Sequence, residues 1–174
     1  MIRFWLIVLG LALLLAAGGC GYHPPGRGEG QGALAAVGKL RIEPFVNPGS
    51  EPFLEVSFTN ALVSEFSRRG GFRVVEALEE ADAVLSGAVT SYRTDAISYD
   101  QDDNILEFRS SMSVNALLRR SADDRVLWKG LVSWAQEYPA GLEKNIQEDN
   151  EAAAIALISR RLAEELYFRL SDDF

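Results

Sequence analysis

Residues 105–119 alternate between apolar and polar side chains, and this pattern constrains the fold more than any other stretch of the chain. Leu106, Phe108, Met112, Val114, Ala116 and Leu118 occupy one set of alternate positions, and Glu107, Arg109, Ser111, Ser113 and Asn115 occupy the other. Successive side chains of a strand point to opposite faces, so this is a strand with one buried and one wet face. Its neighbours can be read on both sides. Residues 83–99 form a long extended segment, and the charged cluster 100–104 makes a hairpin tip. Residues 121–124 make a second turn. Val126, Trp128, Val132 and Trp134 then alternate with Lys129, Ser133 and Ala135 as the next strand, which assigns both tryptophans to core packing.

Two amphipathic helices can supply the cover. Ser50, Glu51 and Pro52 provide a cap residue, an acid and an early proline, and Leu54, Phe58, Ala61, Leu62 and Phe66 follow at helical spacing. Gly70 and Gly71 stop that helix, with Arg68 and Arg69 in its last turn, where cations suit the dipole. A second helix is predicted from about residue 149 to 170, after a loop at 139–146. Ile155, Ile158, Leu162, Leu166 and Leu170 make its inner stripe. Residues 39–45 read as a first strand ending near Pro44, residues 72–75 as a short one, and residues 76–82 as a helical turn or loop. The expectation is an α+β fold: a mostly antiparallel sheet of about four strands packed by two helices, in the order β–α–β–β–β–α, with room for one extra short strand. The apolar face of residues 106–118 should pack under Ile155, Ile158, Leu162 and Leu166.

The N-terminus has a different character. Arg3 precedes an apolar run over residues 4–17, then Gly18, Gly19 and Cys20, the only cysteine in the chain. Small residues before a lone cysteine suit a lipoprotein signal peptidase, and the stretch resembles a bacterial lipobox, with Ala17 where leucine is commoner. An uncleaved anchor fits less well, because the run is shorter than the roughly 20 residues of a membrane span. A plain secretory signal would leave the cysteine at the cleavage site as coincidence. Residues 1–19 are therefore expected to be removed as a signal peptide. Residues 20–38, with Pro24, Pro25 and five glycines by residue 32, would form an acylated flexible tether, and residues 39–172 one domain. Gly21, where aspartate would favour retention at the inner membrane, points by analogy to the outer membrane. One cysteine allows no intramolecular disulfide, so the domain must be held by its core.

The chemistry available is sparse. The formal charge of −8 argues against nucleic acid, which needs a concentrated basic face. The single histidine, His23, lies in the tether, so neither a hydrolase triad nor a multi-histidine metal site can be assembled. The pairs Asp102–Asp103 and Asp123–Asp124 fall at hairpin tips open to water, where nothing would tune them for acid–base work. The string Asp100, Gln101, Asp102, Asp103, Asn104 lacks the glycine and distant glutamate of a calcium loop. No catalytic residue, metal site or cofactor is expected, and the chain is not read as an enzyme.

Several strings then take on meaning together: C-G-Y-H at residues 20–23, G-A-V-T-S-Y-R-T at 87–94, S-V-N-A at 113–116, and Q-E-D-N-E-A-A-A at 147–154 running into R-L-A-E-E-L-Y-F-R-L at 161–170. With the lipobox and the element order, they make the mature chain resemble the LptE family, the LPS-assembly lipoproteins of the Gram-negative outer membrane. The resemblance implies a non-enzymatic lipoprotein that plugs the LptD β-barrel, assists its assembly, contacts lipopolysaccharide and helps place it in the outer leaflet. It also implies partner contact through loops and hairpin tips, for which Tyr99, Asn104 and Ala122 are the candidates.

One departure stands out. Relatives carry a basic residue at the hairpin tip that helps bind lipopolysaccharide, whereas here the tip is Gln101, Asp102, Asp103 and Asn104. The candidate lipopolysaccharide contacts are instead Arg93 and Arg109, on the strands flanking that hairpin, and Lys144, before the last helix. An acidic tip could otherwise meet lipid A phosphates through divalent ions. A second resemblance competes. Synthase-activator and curli-secretion-like lipoproteins share a strand, a P-F-x-N motif as at residues 44–47, a helix and a G-G-F-x-V-V string as at 70–75. That reading makes the chain an activator of a periplasmic partner such as a peptidoglycan synthase. The long last helix and the two long central hairpins favour LptE.

Overall fold

A computed structural model describes residues 32–171; the expected signal peptide, Cys20, the first part of the tether and the last three residues lie outside that range. In chain order the elements are β1 (Lys39–Ile42), α1 (Leu54–Arg69), β2 (Arg73–Val75), a 3-10 turn (Leu78–Glu80), β3 (Ala83–Tyr99), β4 (Ile105–Arg120), β5 (Val126–Pro139) and α2 (Lys144–Ser171). The strands form one sheet in the order β2-β1-β3-β4-β5. β3, β4 and β5 are an antiparallel meander, joined by turns at the acidic tip and at residues 121–124. β1 runs parallel to both β2 and β3. The α+β fold and its element order are as expected, but the sheet has five strands and is partly parallel. The short strand at residues 73–75 is the reason. α1 serves as the crossover between β1 and β2, and a helical crossover returns the chain in parallel.

Both helices lie on one face of the sheet. Leu54, Phe58, Leu62 and Phe66 of α1 and Ile158, Leu162, Ala163, Leu166 and Leu170 of α2 join Leu40, Leu85, Val89, Met112, Val114, Ala116, Leu118 and Val132 in one core. The rings of Phe45 and Phe58 meet edge to face, with centroids 4.9 Å apart. Gly87 leaves room for the Phe45 ring against β3. A Cβ there would lie 2.4 Å from the Phe45 ring and 2.2 Å from the Asn115 carbonyl oxygen. Between the helices, the hydroxyls of Ser57 and Ser159 share a hydrogen bond of 3.0 Å.

Several boundaries move. The buried face of β4 runs from Ser110 to Leu118, while Phe108 is half-buried and Leu106 is 48% exposed, because the helix layer ends before the strand does. Trp128 is half-buried and packs against the core as expected, whereas Trp134 is 41% exposed and lies outside it. α1 starts without a side-chain cap from Ser50. Phe53, at φ 64°, turns the chain into the helix, and the Asn47 side chain orders the loop by donating to the Glu51 carbonyl oxygen at 2.6 Å. α2 begins at Lys144, five residues before the expected start near residue 149, and its early residues hold the preceding loop. Gln147 accepts from Gly141 N, and Asn150 donates to the Pro139 carbonyl. The expected tether also ends sooner than residue 38. Leu34 and Val37 are buried, and Leu34 N donates to the Leu170 carbonyl oxygen at 3.1 Å. Packing of apolar side chains thus ties the start of the domain to the end of α2.

Candidate functional site

No described element covers the second face of the sheet. A bulge at Thr90 reverses the alternation in β3, so Ser91, Arg93 and Asp95 fall on this open face opposite Ser113, Ser111 and Arg109 of β4. β5 continues it with Ser133, Ala135 and Glu137, paired to Ser113, Ser111 and Arg109. The middle of the face is therefore paved with short side chains, and Ser113 and Ser133 share a hydrogen bond of 2.9 Å. A surface without long side chains lets another protein surface come close to the sheet over a wide area.

Toward the β3–β4 tip the face carries charge in balanced pairs. The Arg93 guanidinium lies 3.2 Å from Asp95, and Arg109 Nε donates to Glu137 at 3.1 Å. The two candidate arginines thus share a face, and each is neutralised by a carboxylate. Lys144 stands apart at the start of α2, in the helix layer, 3.4 Å from Glu148. Tyr99 and Asn104 are at the tip, and Ala122 is in the turn at the opposite end of the meander. The site candidates are therefore spread over both layers and both ends of the sheet.

The tip itself is held by Asp100. One carboxylate oxygen accepts from the backbone N–H groups of Asp102 and Asn104, and the other from the Asn104 side chain. These bonds, the Asn104 side chain foremost, hold the Asp100 carboxyl below the usual aspartate range. The first carboxylate of the acidic string is thus engaged in forming the turn. Among the described residues, no group of three or more histidine, cysteine or carboxylate side chains is placed to hold a metal ion. No described helix is long and apolar enough to cross a membrane.

Beneath α2 lies a polar cluster that the alternation pattern misses. Tyr92 and Thr94 of β3 both donate to Glu151 Oε1, at 2.7 and 3.1 Å, and Ser110 of β4 bonds both hydroxyls. Burial pushes the Tyr92 hydroxyl well above the ordinary tyrosine range, so it stays a donor. One signal was available in the sequence: Ser110 interrupts the apolar series between Phe108 and Met112. Beyond the cluster, exposed apolar side chains gather at the tip end, with Tyr99, Ile105 and Leu106 on the hairpin and a fully exposed Leu142 before α2.

A family model described as LptE, lipopolysaccharide-assembly, matches residues 37–170. No curated protein matches the chain. Among solved structures, the fold is similar to that of CT253 from Chlamydia trachomatis (12% identity, TM-score 0.57, covering 78% of this chain and 96% of that one). It is similar also to lipoprotein B from Nitrosomonas europaea (13%, 0.56, 78% and 83%) and to the rare lipoprotein B from Shewanella oneidensis (13%, 0.52, 75% and 91%). At these identities the likeness concerns the fold alone. The family match covers the domain from just before β1 to nearly the end of α2.

Proposed function

This chain belongs to the LptE, lipopolysaccharide-assembly, family, and from that premise we infer that it acts as an outer-membrane lipoprotein, anchored through acylated Cys20, that plugs an LptD-like barrel and helps pass lipopolysaccharide to the outer leaflet. The single observation that carries this reading is the family match over residues 37–170. The open face supports it. Its short serine and alanine side chains leave the sheet accessible to a surrounding wall, while both helices bury their stripes on the other side. In this reading the chain is no enzyme and needs no cofactor. It binds, orients and fills space. The competing activator reading gains nothing from the family match.

Photo-crosslinking residues placed at Tyr99, Asn104 and Ala122 test the plug arrangement in cells. A barrel wall enclosing the domain would touch both ends of the meander, so barrel-sized adducts are expected at the tip and at residue 122. Failure of all three positions to yield such an adduct, in a folded and lipidated protein, would favour the activator.

Contact with lipopolysaccharide requires cations, because burying an unpaired phosphate is costly. Arg93 and Arg109 remain the proposed contacts, exchanging Asp95 and Glu137 for phosphate. Reversing both charges should weaken lipopolysaccharide binding about tenfold or more, with thermal stability and barrel copurification nearly unchanged, since exposed ion pairs contribute little. Binding that survives the double reversal but is abolished by a chelator would assign the contact to divalent ions at the acidic tip instead.

A further inference from the structure

β1 and the segment after it cover β3 only as far as Val89, where Val46 bridges Ala88 and its carbonyl accepts from Val89 N at 2.9 Å. From Ser91 to Ala96, between two irregularities in the strand, β3 is paired on its β4 side alone. Such an edge presents unpaired N–H and C=O groups in a row, a template for another strand. The sheet's other long edge is better guarded. On β5, Lys129 sits in the first part of the strand, and Arg169 of α2 donates to the Leu131 carbonyl at 3.1 Å. A cavity of about 400 Å³ opens at the base of the β3 edge, walled by the loop carrying Asn47 and Glu51, by Thr90 to Thr94, and by Glu151 of α2.

The charges in this cavity are unequal. Glu51 makes no ion pair or side-chain hydrogen bond among the described residues, and its loop is fixed by Asn47 through the backbone. Glu151 binds two hydroxyls through Oε1 and meets no cation among the described residues. The one arginine at the rim, Arg93, is paired with Asp95. We propose that the open edge of β3 from Ser91 to Ala96 takes an extended segment of a partner protein as an added strand, with a lysine or arginine side chain of that segment lowered into the cavity beside Glu51 and Glu151. The backbone ladder supplies affinity without sequence preference, and the two carboxylates select a basic residue at one position. The proposal stands on the edge and the cavity and not on the lipopolysaccharide reading, so either can fail alone.

Short random peptides displayed on phage and panned against the full lipidated chain in detergent micelles provide the test. The expected result is enrichment of extended sequences with a lysine or arginine at one fixed position. The enriched peptide, synthesised, should protect amides within residues 91–96 from hydrogen exchange. Glu51→Gln, which removes no described contact and should fold normally, is expected to weaken that peptide about tenfold, and Glu51→Arg further. The proposal is overturned if no peptide is enriched, if acidic or neutral peptides are selected, if protection falls on β5 or the open face, or if Glu51→Gln leaves affinity unchanged.

Discussion

Leu162→Ala should destabilise the domain by about 2–5 kcal/mol, the range for removing a large aliphatic side chain from a filled core. Leu162 is fully buried in the middle of α2's inner stripe, between Ile158 and Leu166, both also fully buried. It faces a sheet whose buried side chains come from four strands, so there is no flexible neighbour to collapse into the space. Leu106→Ala is the matched control. It lies on the same face of β4 as Val114 and Leu118, but beyond the helix layer and half exposed. Its change should stay within about 0.5 kcal/mol, as for ordinary surface sites. Denaturant unfolding of both variants measures the difference. Equal effects would mean that the helices extend over the distal hairpin, and a negligible effect for Leu162 would mean that α2 does not dock on the sheet.

Removing Arg68 and Arg69 together should cost about 2 kcal/mol, less than the loss of partners from a fully buried ion pair because water reaches both guanidinium groups. Glu65 is the reason. Its side chain is 2% exposed on α1, and both arginines bond its carboxylate from the last turn. Arg69 also lies over the rings of Tyr167 and Phe168, 5.1 and 4.8 Å from their centroids, so its loss removes packing between the ends of the two helices. Glu65→Leu in the double variant should recover much of the loss, since an apolar side chain needs no partner there. Thermal unfolding at neutral pH reads all three proteins. If Glu65→Leu brings no recovery, the arginines act through the aromatic rings and not through the carboxylate.

Period two and period near 3.6 were enough to find the meander, both helices and the stripe that joins them, because those elements bury one face each. What escaped the sequence escaped for physical reasons. The short strand at residues 72–75 was legible, but its three paired residues are too few to show where it pairs, and the parallel edge of β1 decides that. The first turn and a half of α2 is polar and carries no stripe, so its helical backbone is invisible to hydropathy. Leu34 and Val37 sit beside a glycine-rich run, and their burial depends on the end of α2, far away in sequence. The bulge at Thr90 turns Ser91, Arg93 and Asp95 outward and Tyr92 and Thr94 inward, which no periodic reading of residues 83–99 contains. The candidate site was legible only in part. That Arg93 and Arg109 share a face, and that each meets a carboxylate, comes from the strand register with its irregularities, and the place of Lys144 in the other layer comes from the helix start.

Service in lipopolysaccharide assembly has a direct consequence in cells depleted of this chain. In cells that carry it, lowering its level while following newly made lipopolysaccharide should reduce the fraction reaching the cell surface, with accumulation behind the outer membrane and reduced mature barrel partner. Restoring the unaltered chain should reverse all three. Undiminished surface lipopolysaccharide and normal barrel levels in depleted cells, accompanied by a fall in peptidoglycan synthesis, would contradict that role.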